Sequence, residues 1–292
     1  MQQVRIVSLL PSATEILFAI GAGSQVVGVS DECDYPEQAR RLPVVSSATM
    51  PPGLTSHEID TWVSQARHTD QDLYRLDADL LASLNPDLII TQDLCAVCAV
   101  DVATVEQAVA HLEVPPQIFT LDPHTFDDAF ASIGTVGTLT GHHDAAEELL
   151  RSLRSRLAAA WRSTMGYPTA RVALLEWTDP PFAPGHWIPE MVELAGASNA
   201  LGEAGKPSVR TDWESVAASQ PDVIVCAPCG YDLDGAAELA AQTPDLGLPV
   251  WAVDANASFA RPGPRLVDGV EALAMIVHPH RDDDQSLARR VR

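Results

Sequence analysis

The side chains with the widest chemical range in this sequence are its cysteines, and four of the five form two CxxC pairs. Cys95 and Cys98 lie in QDLCAVC, Cys226 and Cys229 lie in VCAPCGYD, and Cys33 stands alone in SDECDYP. Thiolate sulfur binds soft or borderline metal ions, so these residues could together hold zinc or an iron–sulfur cluster. Disulfide formation, redox chemistry and the simple packing of small side chains are the alternatives.

The spacing of the two pairs argues against the common small motifs. A zinc ribbon separates its pairs by ~15–20 residues, whereas a far longer stretch separates Cys98 from Cys226. A thioredoxin-like pair opens a helix directly after a strand, whereas Cys95 comes four residues after the predicted strand ends at Thr91. A shared metal site would therefore have to join distant parts of the fold.

The charge of the chain limits its partners. With 40 acidic and 18 basic residues, the formal net charge is −22. Nucleic-acid phosphates and anionic lipids bind clustered Lys and Arg, so we expect neither as a partner. No apolar run approaches the ~20 residues of a membrane-spanning helix, and the N-terminus shows no secretory signal pattern. We therefore expect a cytoplasmic protein whose thiols are free or bind a metal.

An internal repeat indicates two similarly built lobes. Asp79–Ile90 is DLLASLNPDLII and Glu214–Val225 is ESVAASQPDVIV. Each segment begins with an acidic residue, continues as a short helix that Pro ends, and closes with a buried strand. Strands and helices alternate in both halves, which predicts an α/β fold with mostly parallel sheets. Chance similarity of two helix–strand units is the alternative.

A long amphipathic helix is predicted between the lobes. In HHDAAEELLRSLRSRLAAAWRST the apolar residues follow helical spacing and the charged residues fall between them. The predicted organisation is an N-terminal lobe at 1–141, a connecting helix at 142–165, a C-terminal lobe at 166–280 and a mobile tail at 281–292. The tail has little apolar content, which favours mobility.

The carboxyl ends of the predicted strands indicate where a ligand binds, because ligands of open parallel sheets bind beyond these ends. All five cysteines fall at or just past the ends of predicted strands, which predicts that the thiols share one face. The segments that follow the strands also carry aromatic, charged and imidazole side chains: Glu32, Tyr35, Trp177, Phe182, His186, Trp187, Tyr231, Phe259 and Arg261. We expect these residues to line the ligand site, although each aromatic residue taken alone fits a packed core equally well.

A series of short segments gives a more specific indication. They are Pro11–Glu15, Gly28–Pro36, Asp79–Ile90, Pro180–Gly185, Gly196–Asn199 and Arg261–Arg265. Their order and spacing resemble the cobalamin- and siderophore-binding proteins of ABC importers, which are the helical-backbone type of periplasmic binding protein. The likeness covers about residues 4–277 and is greatest to the cobalamin-binding members.

The resemblance implies two α/β lobes with central, mostly parallel sheets, joined by one long helix, with a ligand cleft between the lobes. It implies non-catalytic binding of a corrinoid such as cobalamin, or of a related metal chelate, and large aromatic side chains suit such a flat macrocycle. It also implies docking on an ABC transporter permease through Asp79 and Glu214. A carboxylate at either position equally suits stabilisation of a helix N-terminus.

Two other functions stay open. The thiols are not part of the cobalamin-binding pattern, so the same fold could serve as a thiolate metalloprotein that binds zinc or an iron–sulfur cluster through the five cysteines. An enzyme acting on a small metabolite has less support, because no nucleophile or acid–base pair can be identified. We assign no catalytic residue.

Overall fold

The computed structural model describes residues 3–69, 72–92, 100, 102–110, 112, 114–278 and 286–292, with the backbone alone at residue 67. The chain divides into two compact units. The N-terminal unit comprises Met1–Pro123 and Phe130–Leu150, and the C-terminal unit comprises His124–Ala129 and Arg151–Arg292. No helix among the described residues has both the length and the apolar character needed to cross a bilayer.

The N-terminal unit is built on a six-stranded sheet with the strand order β4-β3-β2-β1-β5-β6. All neighbouring strands are parallel except β3 and β4. The strands are β1 Ile6–Ser8, β2 Val26–Ser30, β3 Val44–Ala48, β4 Tyr74–Leu76, β5 Leu88–Thr91 and β6 Gln117–Thr120. The helices that begin in or extend into this unit are α1 Pro11–Ala19, α2 Ser56–His68, α3 Ala78–Leu84, α4 Val102–Val109, α5 Phe126–Leu139 and α6 His143–Thr164. Val7, Val45 and Ile89 from three of these strands pack with Leu81 of α3 in its core.

The C-terminal unit contains a five-stranded sheet of order β10-β7-β12-β13-β14 and a three-stranded sheet of order β11-β9-β8. In the larger sheet only the pairing of β13 with β14 is antiparallel. The strands are β7 Arg171–Leu175, β8 Trp177–Thr178, β9 Pro181–Ala183, β10 Ser198–Asn199, β11 Val209–Arg210, β12 Val223–Cys226, β13 Val250–Val253 and β14 Ala288–Arg290. The further helices are α7 Ile188–Leu194, α8 Trp213–Ala218, α9 Leu233–Ala241, α10 Ala255–Ser258 and α11 Leu266–Val277. The predicted α/β fold with mostly parallel sheets is thus confirmed.

The internal repeat corresponds to two helix–strand units, α3–β5 and α8–β12, with matching ends. Asp77 and Asp212 are the N-caps, and each side chain accepts a hydrogen bond from a backbone N–H three residues on. Asn85 and Gln220 follow the helices with φ of 44° and 51°. A left-handed residue commonly ends a helix and turns the chain away from the helix axis, so both copies turn into their strands in the same way.

Each copy of the repeat forms an equivalent hydrogen bond at the start of the first strand of its own unit. The backbone N–H of Arg5 donates to Asp87 Oδ2 at 2.8 Å, and that of Arg171 donates to Asp222 Oδ2 at 2.7 Å. Asp87 and Asp222 are the aspartates of the two Pro-Asp pairs. The repeat in the sequence therefore extends to equivalent contacts in the two units, which chance similarity does not explain.

The predicted connecting helix is present as α6, His143–Thr164, and the division between the units falls within it, after Leu150. Its C-terminal half is fixed to α11 by Arg156. The Arg156 guanidinium donates to Glu271 Oε1 at 3.0 Å and to Asp268 Oδ1 at 2.6 Å. The division after Leu150 thus falls within the segment 142–165 that the sequence predicts as the connecting helix.

A second helix, α5, also spans the division, because residues 124–129 belong to the C-terminal unit. The reason is a hydrogen bond from the backbone N–H of Phe126 to Glu190 Oε2 at 2.6 Å, which ties the start of α5 to α7. The sequence does not predict this contact, because its partners lie far apart along the chain.

The predicted mobile tail is wrong for the last residues. Ala288–Arg290 form β14 and pair with β13, and the side chain of Ala288 is buried. The Arg292 guanidinium also donates to Thr243 Oγ1 at 2.8 Å. Backbone pairing at the sheet edge orders this segment, although it contributes few apolar side chains.

Candidate ligand-binding site

The carboxyl ends of β7, β12 and β13 meet at one edge of the larger sheet of the C-terminal unit, because the three strands are parallel neighbours. Residues 176–187, 227–232 and 254–261 follow these strands. We call these three segments the strand-end face. They contain most of the residues that the sequence predicts to contact a ligand.

Two aromatic rings on the strand-end face form a pair. The ring centroids of Trp177 and Tyr231 lie 5.7 Å apart at an angle of 58°. Both side chains are partly exposed. Trp177 Nε1 donates to the carbonyl oxygen of Asp179 at 3.1 Å, which fixes the indole, and burial raises the pKa of Tyr231. The pair offers a partly fixed aromatic surface at the end of the sheet.

Phe182 adds a third partly exposed ring to the strand-end face, and it pairs with Trp177 across strands β8 and β9. Its strand β9 pairs with β11, which places Arg210 opposite Phe182. The Arg210 guanidinium lies 5.8 Å from the centroid of the Phe182 ring, within the range of a cation–π contact. Arg210 was not predicted from the sequence, because only strand pairing brings it to this ring.

Glu176 holds this part of the face together. Its Oε1 accepts from the backbone N–H of Gly185 at 2.9 Å, and its Oε2 accepts from Ser208 Oγ at 2.5 Å. The carboxylate thus joins the start of the β8–β9 hairpin to its end and to the segment before β11. The sequence analysis missed Glu176, although a carboxyl side chain directly after a buried strand was an available signal.

His186 occupies an unusual backbone conformation, with φ of 49°. Its imidazole lies 6.1 Å from that of His124, at an angle of 29°, and 5.6 Å from the ring of Trp187. Burial and the neighbouring His124 both lower the pKa of His186. His124 was not predicted as a site residue, although it follows β6 in LDPHTF, where strand-end reasoning could have found it.

Trp187 and Phe259 are predicted from the sequence to contact the ligand, whereas the structure buries both side chains. Trp187 is 7% exposed and Phe259 is 1% exposed. Trp187 Nε1 donates to the carbonyl oxygen of Phe259 at 2.8 Å, so the indole is satisfied inside the unit. Both residues lie in segments of the strand-end face, but their side chains are buried within the C-terminal unit and not exposed on that face.

Arg261, Glu32 and Tyr35 are accessible. Arg261 is partly exposed and its charge acts on Asp254, whose pKa is raised mainly by burial. Glu32 and Tyr35 lie in the N-terminal unit, after β2, and both are exposed. Glu32 accepts a hydrogen bond from the Tyr74 hydroxyl at 3.1 Å. Their role in ligand binding stays a prediction, as does a cleft between the lobes.

The three cysteines among the described residues differ in exposure, and the predicted common face of all five stays a prediction. Cys226 is fully buried in the core cluster around Ile224, and burial raises the pKa of its thiol to about 12. Cys33 is buried in the N-terminal unit, with its sulfur 3.1 Å from both Thr14 Oγ1 and Ser30 Oγ. Cys229 is exposed on the strand-end face.

The remaining pair, Cys95 and Cys98, lies outside the described residues. Among the described residues, no group of three or more His, Cys, Asp or Glu side chains is placed to hold a metal ion. Burial of Cys226 disfavours the thiolate, which is the form that binds metal.

Thiol labelling tests this assignment. In the native protein, Cys229 is expected to react with iodoacetamide, whereas Cys226 is expected to react only after unfolding, since the thiolate is the nucleophile. Mass spectrometry of the labelled peptides measures each residue separately, and buried Cys33 is the internal control. Labelling of Cys226 in the folded protein as fast as Cys229 would contradict its place in the core.

The two carboxylates predicted to dock on a permease occupy equivalent exposed positions. Asp79 lies in the first turn of α3 and Glu214 in the first turn of α8. Helix capping is performed by the neighbouring residues Asp77 and Asp212, not by these two. Their side chains therefore project from the two copies of the repeat without a capping role.

A cavity of about 750 Å³ lies elsewhere in the C-terminal unit, between α6 and α11. Arg156, Asp268, Glu271, Tyr167 and His278 contribute to its lining. Arg156 pairs with both carboxylates, and the rings of Tyr167 and His278 contact each other at 5.0 Å. The charged groups of this cavity pair with one another, whereas the strand-end face carries three partly exposed aromatic rings, so we take the strand-end face as the candidate ligand site.

Comparison with known proteins supports a binding role. A family model described as periplasmic binding protein matches residues 6–246. The vitamin B12-binding protein of Pectobacterium atrosepticum is 26% identical over 275 residues, which cover 90% of this chain and 84% of that protein. An uncharacterized ABC transporter substrate-binding lipoprotein of Bacillus subtilis is 25% identical over 290 residues, covering 94% and 80%.

Among solved structures, a periplasmic heme-binding protein from Pseudomonas aeruginosa has the same fold. It matches with a TM-score of 0.72 at 19% identity and covers 99% of this chain and 98% of its own. At this identity the match concerns the fold alone.

Proposed function

This chain belongs to the periplasmic binding protein family, and we propose that it binds a corrinoid or a related metal chelate without transforming it. The ligand contacts the strand-end face of the C-terminal unit. The observation that carries the proposal is the set of partly exposed rings on this face, Trp177, Phe182 and Tyr231.

The chemistry of these rings suits a large flat ligand. Aromatic side chains remove a wide apolar area from water at a low cost in conformational entropy, and a few polar groups then orient the ligand. Here Arg210, Arg261 and Tyr231 supply polar groups beside the rings. A corrin or a porphyrin combines an extended apolar surface with polar groups at its edge. The apolar surface suits the aromatic rings, and the groups at the edge suit the polar side chains beside them.

Relatives support the ligand class. One compared protein is named for vitamin B12 and another for heme. Both ligands are metal ions already held in the plane of a macrocycle. A binding protein for such a ligand does not need a complete metal site of its own. Among the described residues, no group of three or more His, Cys, Asp or Glu side chains could hold a metal ion.

The partner in this proposal is the permease of an ABC transporter. Asp79 and Glu214 support it, because they are exposed carboxylates at equivalent positions of the two helix–strand units. A partner with two-fold symmetry presents the same basic residue twice. Two acidic residues at equivalent positions of this chain suit such a pair of basic residues.

Isothermal titration calorimetry tests the proposed function. We expect saturable binding close to one ligand per chain for at least one of cobinamide, cyanocobalamin and ferric haem. The Trp161→Ala variant is the control, since this exposed tryptophan lies on α6, outside the strand-end face. The absence of saturable binding by all three compounds would contradict the proposal.

A further inference from the structure

The backbone of His186 is held in a conformation that most residues avoid. Asn85 and Gln220 share a positive φ, but each ends a helix, where this conformation is common. His186 precedes α7 and has no such explanation. Its N–H donates to the carbonyl oxygen of Lys206 at 2.7 Å, and its own carbonyl oxygen accepts from Gly205 at 2.9 Å.

Two backbone hydrogen bonds therefore fix the direction in which the imidazole leaves the chain. A strained residue that the surrounding structure fixes in this way is a candidate for a functional role. The rings of His124 and Trp187 restrict its rotation further. His124 is positioned in turn by its backbone N–H, which donates to Asp128 Oδ2 at 3.0 Å.

The ring nitrogens of this histidine pair are available. Within the part of the chain that the structure describes, neither His124 nor His186 forms a side-chain hydrogen bond. The His186 ring is half-buried and His124 is exposed. Burial and the second imidazole lower the pKa of His186, so its ring stays neutral at neutral pH and keeps a nitrogen lone pair for a metal ion.

Two imidazoles are too few to hold a bare metal ion firmly, but they suffice for a metal that arrives with its equatorial positions filled by a chelate. We propose that a ring nitrogen of His186 binds the metal ion of the ligand at an axial position, with His124 as the positioning residue. This inference rests on the proposed function and narrows its ligand class to chelates with an exchangeable axial site.

The step is a ligand exchange. The lone pair of the neutral His186 nitrogen forms a bond to the metal, the bond from the metal to a water molecule breaks, and that water leaves. No electron is transferred and the oxidation state of the metal is unchanged. Aquocobinamide and ferric haem can undergo this exchange, whereas cyanocobalamin has both axial positions filled.

Absorption spectroscopy tests the inference with these three compounds. We expect aquocobinamide or ferric haem to show the spectral shift of imidazole coordination on binding, and cyanocobalamin to show none. In His186→Asn the shift is lost and the affinity for the exchangeable chelate falls at least tenfold. Asparagine tolerates the left-handed conformation, so this variant removes the imidazole and keeps the backbone. The His143→Ala variant, which removes an exposed imidazole elsewhere, keeps the shift.

Imidazole is expected to restore the shift in His186→Asn at a concentration that leaves the spectrum of the unbound chelate unchanged, which a purely structural role would not produce. Binding of an exchangeable chelate without the shift would overturn the inference, as would an unchanged shift in His186→Asn. A tenfold loss of cyanocobalamin affinity in that variant would assign His186 a structural role instead. These three outcomes leave the proposed function standing, whereas failure of all three compounds to bind overturns both.

Discussion

The Trp187→Ala variant is expected to lose about 3–5 kcal/mol of unfolding free energy, which is the usual cost of truncating a buried aromatic residue. Trp187 is 7% exposed, and its indole N–H donates to the carbonyl oxygen of Phe259. The substitution leaves a cavity in the core and removes the donor of that buried hydrogen bond. Urea denaturation followed by circular dichroism measures the change.

Trp177→Ala is the matched control, because it removes the same side chain ten residues earlier on the same segment. Trp177 is partly exposed, so its truncation is expected to cost about 1 kcal/mol. Equal losses of stability in the two variants would show that the assignment of Trp187 to the core and Trp177 to the binding face is wrong.

The second large effect is on ligand affinity. In the Trp177→Ala/Tyr231→Ala double variant, we expect the affinity for whichever chelate binds to fall about 100-fold. Each ring supplies one part of an aromatic surface whose centroids lie 5.7 Å apart. Removing both leaves the ligand without its main apolar contact in this unit.

Calorimetric titration of the double variant and of each single variant measures this effect. Because the rings touch each other, we expect the two single losses not to add exactly. Trp161→Ala is expected to retain the wild-type affinity. An affinity in the double variant within threefold of wild type would contradict a ligand contact with this pair.

Local patterns in the sequence were sufficient for the main strands and helices. The two Pro-Asp segments predicted α3–β5 and α8–β12, and the structure adds their common hydrogen bond to the first strand of each unit. Short elements were missed. The strands β8 and β9 contain only two and three residues, and β14 has few apolar side chains. None of these three strands therefore shows the alternation of apolar and polar residues that predicts a strand.

The site was predicted only as a set of loops. Strand-end reasoning found the segment with Trp177, Phe182, His186 and Trp187, but it could not separate the exposed tryptophan from the buried one. That separation depends on Phe259, which lies far along the chain. Cys226 had an available signal, since it is two residues from Ile224 and so faces the same side of a buried strand.

Hydrogen–deuterium exchange with and without cobinamide tests the location of the ligand most directly. We predict that cobinamide slows exchange in peptides that cover residues 176–187 and 227–232. The cavity between α6 and α11 is the alternative location, and peptides that cover residues 156–167 and 268–278 report on it. Protection confined to those cavity peptides would contradict binding at the strand-end face.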